Sequence, residues 1–162
     1  MRFFSTLSAL ALSASFTYAA SLTATKRQIV ASEHGTTVEP ADGSTITPGV
    51  SFAFSYENRN FCESGYSPIS VYLSTSPPTT ADVTTGGELV DGSFVFKFGD
   101  LLIANFGGAP AHEPPPPTLI APPLVVTDGA TTLYFSVVET YRDCPDHVPL
   151  EFGLETTTVI YV

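Results

Sequence analysis

Apolar and polar side chains alternate over several short stretches of this chain, and this period of two constrains the fold more than any other feature. In "VSFAFSY" the alternation places Phe52, Phe54 and Tyr56 on one face. The pattern recurs in "ISVYLS", "SFVFKF" and "TLYFSVVET", and the three phenylalanines of "SFVFKF" are predicted to share a face. Because successive side chains of a β-strand point to opposite faces, each stretch is predicted to be a strand.

Turn residues separate these stretches, as in the Asp42-Gly43, Pro48-Gly49 and Asp91-Gly92 pairs. Further candidate strands lie at 36–38, 44–46, 101–106, 119–126 and 156–162. About seven to nine strands at this spacing predict an all-β fold, a single antiparallel β-sandwich of two sheets. A closed barrel is the alternative, because the alternation alone does not separate the two architectures.

The first 27 residues have the pattern of a leader. Arg2 is followed by a short apolar run that ends in small residues at Ala20, which predicts a secretory signal peptide over 1–20. A buried N-terminal helix is the alternative. Lys26 and Arg27 then form a dibasic pair, which predicts a propeptide at 21–27 and kexin-type cleavage, unless the pair merely lies on a disordered arm. The mature domain would be 28–162, secreted and extracellular.

Charge excludes several classes of partner. The chain has six basic and 16 acidic residues, a net charge of -10. Without Arg2, Lys26 and Arg27, three basic residues remain against the same 16 acidic ones, which gives -13. Such a surface repels phosphate groups, so we expect no nucleic-acid partner and no attachment to anionic membranes. The apolar part of the leader is also too short for a comfortable membrane anchor.

The chain has two cysteines, Cys62 and Cys144. In an oxidising compartment two cysteines are expected to pair, and no C-x-x-C spacing points to a redox site. Closing a loop of this length would stabilise the fold by about 4 to 5 kcal/mol in the chain-entropy model.

Each cysteine follows a strand with an arginine close before it, in "YENRNFC" and "ETYRDC". A disulfide between these strand ends would bring Arg59 and Arg142 to one rim. The first interpretation is a structural lock, in which the arginines pair with Glu57, Glu139 or Asp143. The second is a binding edge, since guanidinium groups bind carboxylates in a directed way.

We predict partner contacts at this rim from five residues, which are Arg59, Asn60, Phe61, Tyr141 and Arg142. Tyr and Arg are enriched at interface hot spots, and a disulfide would hold the rim rigid. The run from Pro114 to Pro117 is the other candidate, either as a docking segment for an aromatic groove or as a stiff connection between sheets.

Nothing in the sequence specifies an active site, and we expect no enzyme activity, no cofactor and no metal. The three histidines are His34, His112 and His147, and none stands in a metal-binding motif. No nucleophile elbow is present. Three tyrosines could stack on sugars if their rings are exposed, and these are Tyr66, Tyr72 and Tyr141.

Two segments, "VEPADGSTITPGVSFAFSYENRNFC" and "TTLYFSVVETYRDCP", make the chain resemble the fungal necrosis-inducing secreted effectors. This resemblance implies an immunoglobulin-like β-sandwich without catalysis. It also implies a role in suppressing plant immune signalling through receptor-associated kinases. The spacing "P-x-x-G-x-x-x-x-P-G-x-x-x-x-F" at 40–54 is similar to the opening of fungal cell-wall glucan-assembly proteins. That family usually has a tryptophan near this place and a Ser/Thr-rich tail, and this chain has neither.

Three functions therefore compete. The first is a secreted, non-enzymatic, effector-like protein that binds a protein partner in the apoplast. The alternative is a structural protein that binds cell-wall polysaccharide such as glucan. A hydrolase is the third, since paired carboxylates could converge in the fold.

Overall fold

A computed structural model describes residues 29–59, 65–104, 114–125, 129–142, 144 and 149–162. The described chain is mostly β-strand with almost no helix, which confirms the predicted all-β class. Its ten strands are β1 (Ile29–Val30), β2 (Thr36–Glu39), β3 (Ser44–Ile46), β4 (Ser51–Ala53), β5 (Ser55–Glu57), β6 (Tyr66–Ser74), β7 (Phe96–Ala104), β8 (Thr118–Ile120), β9 (Thr131–Tyr141) and β10 (Glu151–Tyr161). One short 3₁₀ helix spans Thr80–Asp82.

The largest sheet has six strands. Its order is β1-β10-β9-β6-β7, and β3 also pairs with β10. The long strands β6, β7, β9 and β10 pair in antiparallel fashion, as predicted. However, β1 and β3 run parallel to β10, at opposite ends of that strand. The prediction of a purely antiparallel sheet was therefore wrong. The N-terminal segment runs parallel to β10 and pairs with the edge of β10 that β9 leaves free.

Two smaller antiparallel pairs complete the described strands. β2 pairs with β5, and β4 pairs with β8. The stretch "VSFAFSY", predicted as one strand, is divided at Phe54 because β4 and β5 have different partners. The Phe54 backbone N–H donates instead to Pro117 O, at 2.9 Å. The single predicted strand thus connects the two pairs.

The main hydrophobic cluster joins the large sheet to these pairs. Phe54 and Tyr56 belong to the same buried cluster as Val71 of β6, Phe135 of β9 and Tyr161 of β10. The Phe54 and Phe135 ring centroids lie 6.0 Å apart. One face of the large sheet is therefore covered by the strands that carry the alternating phenylalanines and tyrosine.

A second cluster covers the opposite face of the same sheet. It contains Tyr72 of β6 and Val138 of β9, together with Val83 and Leu89 from the connection between β6 and β7. Phe94 packs on Tyr72, with 4.9 Å between ring centroids. The prediction that Phe94 shares a face with the other phenylalanines of "SFVFKF" was therefore wrong, because β7 begins only after it. Burial on both faces makes the centres of β6 and β9 continuously buried.

A bulge in β7 positions the one lysine of the described chain. The register shifts between Val71 and Tyr72, opposite Gly99, whose φ of 149° favours glycine. Lys97 then lies opposite Tyr72, with its Nζ 5.6 Å from the ring centroid. The same Nζ contacts Glu88 and Asp100, each at 2.8 Å.

This ion pair predicts a specific acid sensitivity. Burial raises the pKa of Asp100, but its hydrogen bonds with Lys97 and Ser70 outweigh that effect and leave the pKa below 3.8. A lowered folded-state pKa gives stability that is present above pH 3.8 and lost as the pH falls below it. We expect Asp100→Asn to remove this acid-dependent loss, which is less than about 1 kcal/mol because the side chain is mostly exposed. Urea unfolding at neutral and acidic pH measures it, with Asp91→Asn as the control. If the free energy of unfolding of Asp100→Asn falls in acid as much as that of the wild type, Asp100 is not the source of the acid sensitivity.

Several predictions lie outside the described residues. These include the signal peptide, the propeptide with Ala20, Lys26 and Arg27, and one of the two cysteines, Cys62. Cys144 is described, but the Cys62–Cys144 pairing stays a prediction. No helix of the described chain is long and apolar enough to span a membrane.

Candidate functional site

A buried carboxyl group lies where β9 ends. Glu139 is 0 % exposed. Its Oε2 accepts hydrogen bonds from the Tyr56 hydroxyl at 3.1 Å, the Tyr141 hydroxyl at 3.2 Å and the Gly35 backbone N–H at 3.1 Å. A longer one, at 3.4 Å, comes from the Arg59 backbone N–H. These five residues form what we call the Glu139 cluster, and Oε1 of Glu139 has no hydrogen-bond partner among the described residues.

The alternation of β9 directs Glu139 inward. Leu133, Phe135 and Val137 occupy every second position and lie in the main core, and Glu139 continues the same face. The signal in the sequence for this inward carboxyl group is an acidic residue in phase with a buried apolar face. The sequence instead suggested Glu139 only as a partner for an arginine side chain at the rim.

The rim is organised differently from the prediction. The Arg59 guanidinium pairs with Glu33, at 2.6 Å, and both side chains are about half exposed. The sequence did not indicate Glu33, because it lies far from Arg59 along the chain and follows no predicted strand. Its backbone O also accepts a hydrogen bond from the Tyr141 hydroxyl, at 3.0 Å. This exposed ion pair contributes about 1 kcal/mol at most.

The five predicted contact residues differ in how the structure places them. Arg59 is exposed, and Arg142 is exposed just after β9. Tyr141 is only 2 % exposed, because its ring completes the core below the rim and its hydroxyl belongs to the Glu139 cluster. Asn60 and Phe61 lie outside the described residues. Binding at this rim stays a prediction. Tyr141 is buried beneath the rim and is not available for contact with a partner.

Burial also changes the acidity of the two tyrosines in the cluster. The removal of the phenol from water raises the pKa of Tyr56 above 10.0, and the nearby Glu139 raises it further. For Tyr141 burial is again the largest cause, followed by Glu139, and the nearby Arg59 opposes them. Both phenols therefore keep their protons, and remain hydrogen-bond donors to Glu139, well into the alkaline range.

Close packing at Gly153 predicts the effect of a single methyl group. A Cβ at this position would lie 2.5 Å from the Tyr141 hydroxyl and 2.9 Å from His34 Cβ. We expect Gly153→Ala to displace Tyr141 and to cost about 1 to 3 kcal/mol of unfolding free energy. Gly65→Ala is the matched control, since no atom of the described residues lies within 4 Å of its added Cβ. Equal denaturation midpoints for the two variants would show that the cluster tolerates the methyl group.

An open groove lies beside the cluster. It has a volume of about 300 Å³, and its lining comes from β5, β7 and the proline run. The lining residues are Phe54, Ser55, Tyr56, Ile103, Pro115, Pro116 and Pro117. The Tyr56 ring therefore belongs to the groove, while its hydroxyl belongs to the Glu139 cluster. The three lining prolines belong to the predicted stretch at 114–117, and they form one wall of the groove.

The other predicted features do not converge on a reactive centre. The part of the chain that the structure describes holds no group of three His, Cys, Asp or Glu side chains arranged to bind a metal ion. His34 is exposed, and its Nδ1 contacts Gly35 O. Of the tyrosines considered for sugar stacking, Tyr72 and Tyr141 are buried, which makes that role wrong for both. Tyr66 is 37 % exposed.

Comparison with known proteins adds no relative. The chain matches no protein-family model, no curated protein and no solved structure.

Proposed function

We propose that this chain is a secreted, non-enzymatic interaction protein whose partner is another protein. The observation that supports it is the groove between β5, β7 and the proline run. Its lining is mostly apolar, and β7 is the last strand of the large sheet within the described chain. Apolar grooves beside sheet edges are common docking sites for peptide segments, because pockets take side chains while the edge offers backbone groups.

The groove favours a peptide over a polysaccharide. Sugars stack on the flat face of an exposed aromatic ring, whereas Phe54 is 5 % exposed and Tyr56 is 8 % exposed. Neither ring therefore exposes a flat face on which a sugar could stack. Aliphatic side chains from a partner would fit beside Ile103 and the prolines without requiring an exposed ring face.

The environment of Glu139 supports a structural role for that carboxyl. A catalytic carboxylate must reach the proton or atom on which it acts. Glu139 is inaccessible to solvent, and four protein donors converge on one of its oxygens. This arrangement is typical of a buried polar group that holds separate chain segments together.

The complete fold that we propose is the immunoglobulin-like sandwich expected from the resemblance, closed by a disulfide between Cys62 and Cys144. The main cluster supports two layers, since β5 and β8 contribute Tyr56 and Leu119 to the core beneath β6 and β9. Secretion after cleavage near Ala20, and trimming after Arg27, belong to the same proposal. Intact mass and thiol counting on the secreted protein test these points together.

Site-specific photo-crosslinking tests the binding proposal. Ile103→benzoylphenylalanine places a photoreactive group in the groove. Val95→benzoylphenylalanine is the control, since Val95 is 43 % exposed and lies before the other end of β7. With plant apoplastic fluid or solubilised receptor-associated kinases, we expect a protease-sensitive adduct from position 103 alone.

Two results would contradict this proposal. One is retention of the protein on insoluble β-glucan or chitin without any protein adduct, which would favour the polysaccharide-binding alternative. The other is equal crosslinking from positions 95 and 103, which would mean that the groove has no special part in binding.

A further inference from the structure

Two exposed acidic residues are strand neighbours of Ser55, one of the residues that line the groove. Glu39 of β2 is the direct cross-strand partner of Ser55. Glu57 lies two residues further along β5, on the same exposed face as Ser55. Directly opposite residues are about 5 Å apart at Cβ, and residues two apart on a strand are separated by about 7 Å. Because side chains alternate along a strand, the two carboxylates lie on the face of β5 opposite Tyr56, next to Ser55 at the border of the groove, so that only a long basic side chain of an occupant would extend to them.

The described basic side chains near the groove's strands are already engaged. Lys97 of β7 contacts Glu88 and Asp100, and Arg59 contacts Glu33. The carboxylates of Glu39 and Glu57 appear in none of the ion pairs of the described chain. The whole chain also carries a net charge of -10, which attracts cationic partners over a longer range.

The backbone around the groove indicates the conformation of an occupant. Prolines have no N–H group, so the wall formed by Pro115, Pro116 and Pro117 donates no backbone hydrogen bonds. β7 contributes Ile103 to the lining, and it has β6 on one side and no described strand on the other. An occupant that satisfies its backbone groups here would lie extended along β7.

Resting on the proposed function, we infer that the groove binds an extended segment of a partner protein in which apolar side chains alternate and Lys or Arg residues flank them. The apolar side chains enter the space bounded by Phe54, Tyr56 and Ile103. The basic side chains contact Glu39 and Glu57. A volume of about 300 Å³ suits a few side chains and is too small for a bulky ligand.

Binding of synthetic peptides to the secreted protein tests this inference. The probe is a fluorescent ten-residue peptide with Val and Leu at alternating positions and Lys at both ends, measured by anisotropy. A second peptide carries Glu in place of Lys. We expect the Lys peptide to bind and the Glu peptide to bind at least about tenfold more weakly, with the difference reduced at high salt.

Matched variants locate the binding site. Glu57→Gln is expected to weaken binding of the Lys peptide about threefold, and the double variant Glu39→Gln/Glu57→Gln about tenfold. Asp91→Asn removes one exposed carboxylate elsewhere and should leave binding unchanged. Because all three positions are exposed, melting temperatures should match the wild type.

The inference is overturned if the two peptides bind equally, or if Glu57→Gln behaves like Asp91→Asn. Crosslinking at position 103 separates this failure from that of the proposed function. If position 103 forms an adduct with a partner protein but the Lys and Glu peptides bind equally, the groove binds a protein of different chemistry. If position 103 forms no adduct and the two peptides do not differ in binding, the proposed role of the groove in protein binding is wrong as well.

Discussion

Replacement of Glu139 by leucine is expected to destabilise the protein by about 3 to 5 kcal/mol. Leucine fills a similar volume but accepts no hydrogen bond. The Tyr56 hydroxyl and the Gly35 N–H would then lose their acceptor in a buried site. Such a loss is a large fraction of the stability of a typical domain. Equilibrium unfolding in urea, followed by tyrosine fluorescence, measures the change.

Glu139→Gln is the matched control for this experiment. The amide keeps one acceptor oxygen for the convergent donors, but it places an NH₂ group where Oε1 has no described partner. We expect a smaller cost of about 1 to 2 kcal/mol. If the leucine variant does not fold, Tyr56→Phe still tests the cluster, because it removes one donor and keeps the ring. A leucine variant as stable as the wild type would refute the structural role of Glu139.

Alkaline pH is expected to unfold the protein through Tyr56 and Tyr141. Both have pKa values raised above 10.0 in the folded state. A raised folded-state pKa gives stability that is fully present below pH 10 and is lost as the pH rises above it, because only the unfolded chain releases the protons. The expected loss is about 1.4 kcal/mol per pH unit for each tyrosine.

Two measurements below and above pH 10 test this behaviour. One is the ultraviolet absorbance of the phenolate, and the other is the urea concentration at the midpoint of unfolding. We expect the two phenols to titrate only as the protein unfolds. The double variant Tyr56→Phe/Tyr141→Phe should be less stable at neutral pH but should lose less stability per pH unit. Titration of all tyrosines in the folded protein, without unfolding, would contradict the burial of these two hydroxyls.

Stability and binding are expected to depend on different residues, although the Glu139 cluster and the groove share Tyr56. Its hydroxyl donates to Glu139, and its ring lines the groove. Substitutions at Glu139 or Gly153 are therefore expected to act first on stability. Substitutions at Glu57, which is exposed, are expected to act on binding with little effect on unfolding, whereas Ile103 is partly buried against the main cluster and its substitution is expected to act on both.

Sequence patterns predicted the strand content because the alternation of side chains is a local property of the chain. The strands at 44–46 and around Phe135 lie where the patterns placed them. Patterns also placed Pro114 to Pro117 and Arg59 among the candidate contacts. They did not reveal that β7 begins only at Phe96, or that β4 and β5 separate at Phe54, since each boundary depends on the partner strand.

The sequence by itself determined the β-class, the acidic surface and the inward phase of Glu139, because composition and a period of two act within a few residues. Only the tertiary structure decided what meets Glu139. Gly35, Tyr56 and Tyr141 come from three segments, and their donors converge only when β2, β5 and β9 are packed together. The parallel pairing of β1 and β3 with β10, and the groove between β5, β7 and the prolines, have the same cause. Contacts between distant segments depend on the packing of layers, which no local pattern encodes.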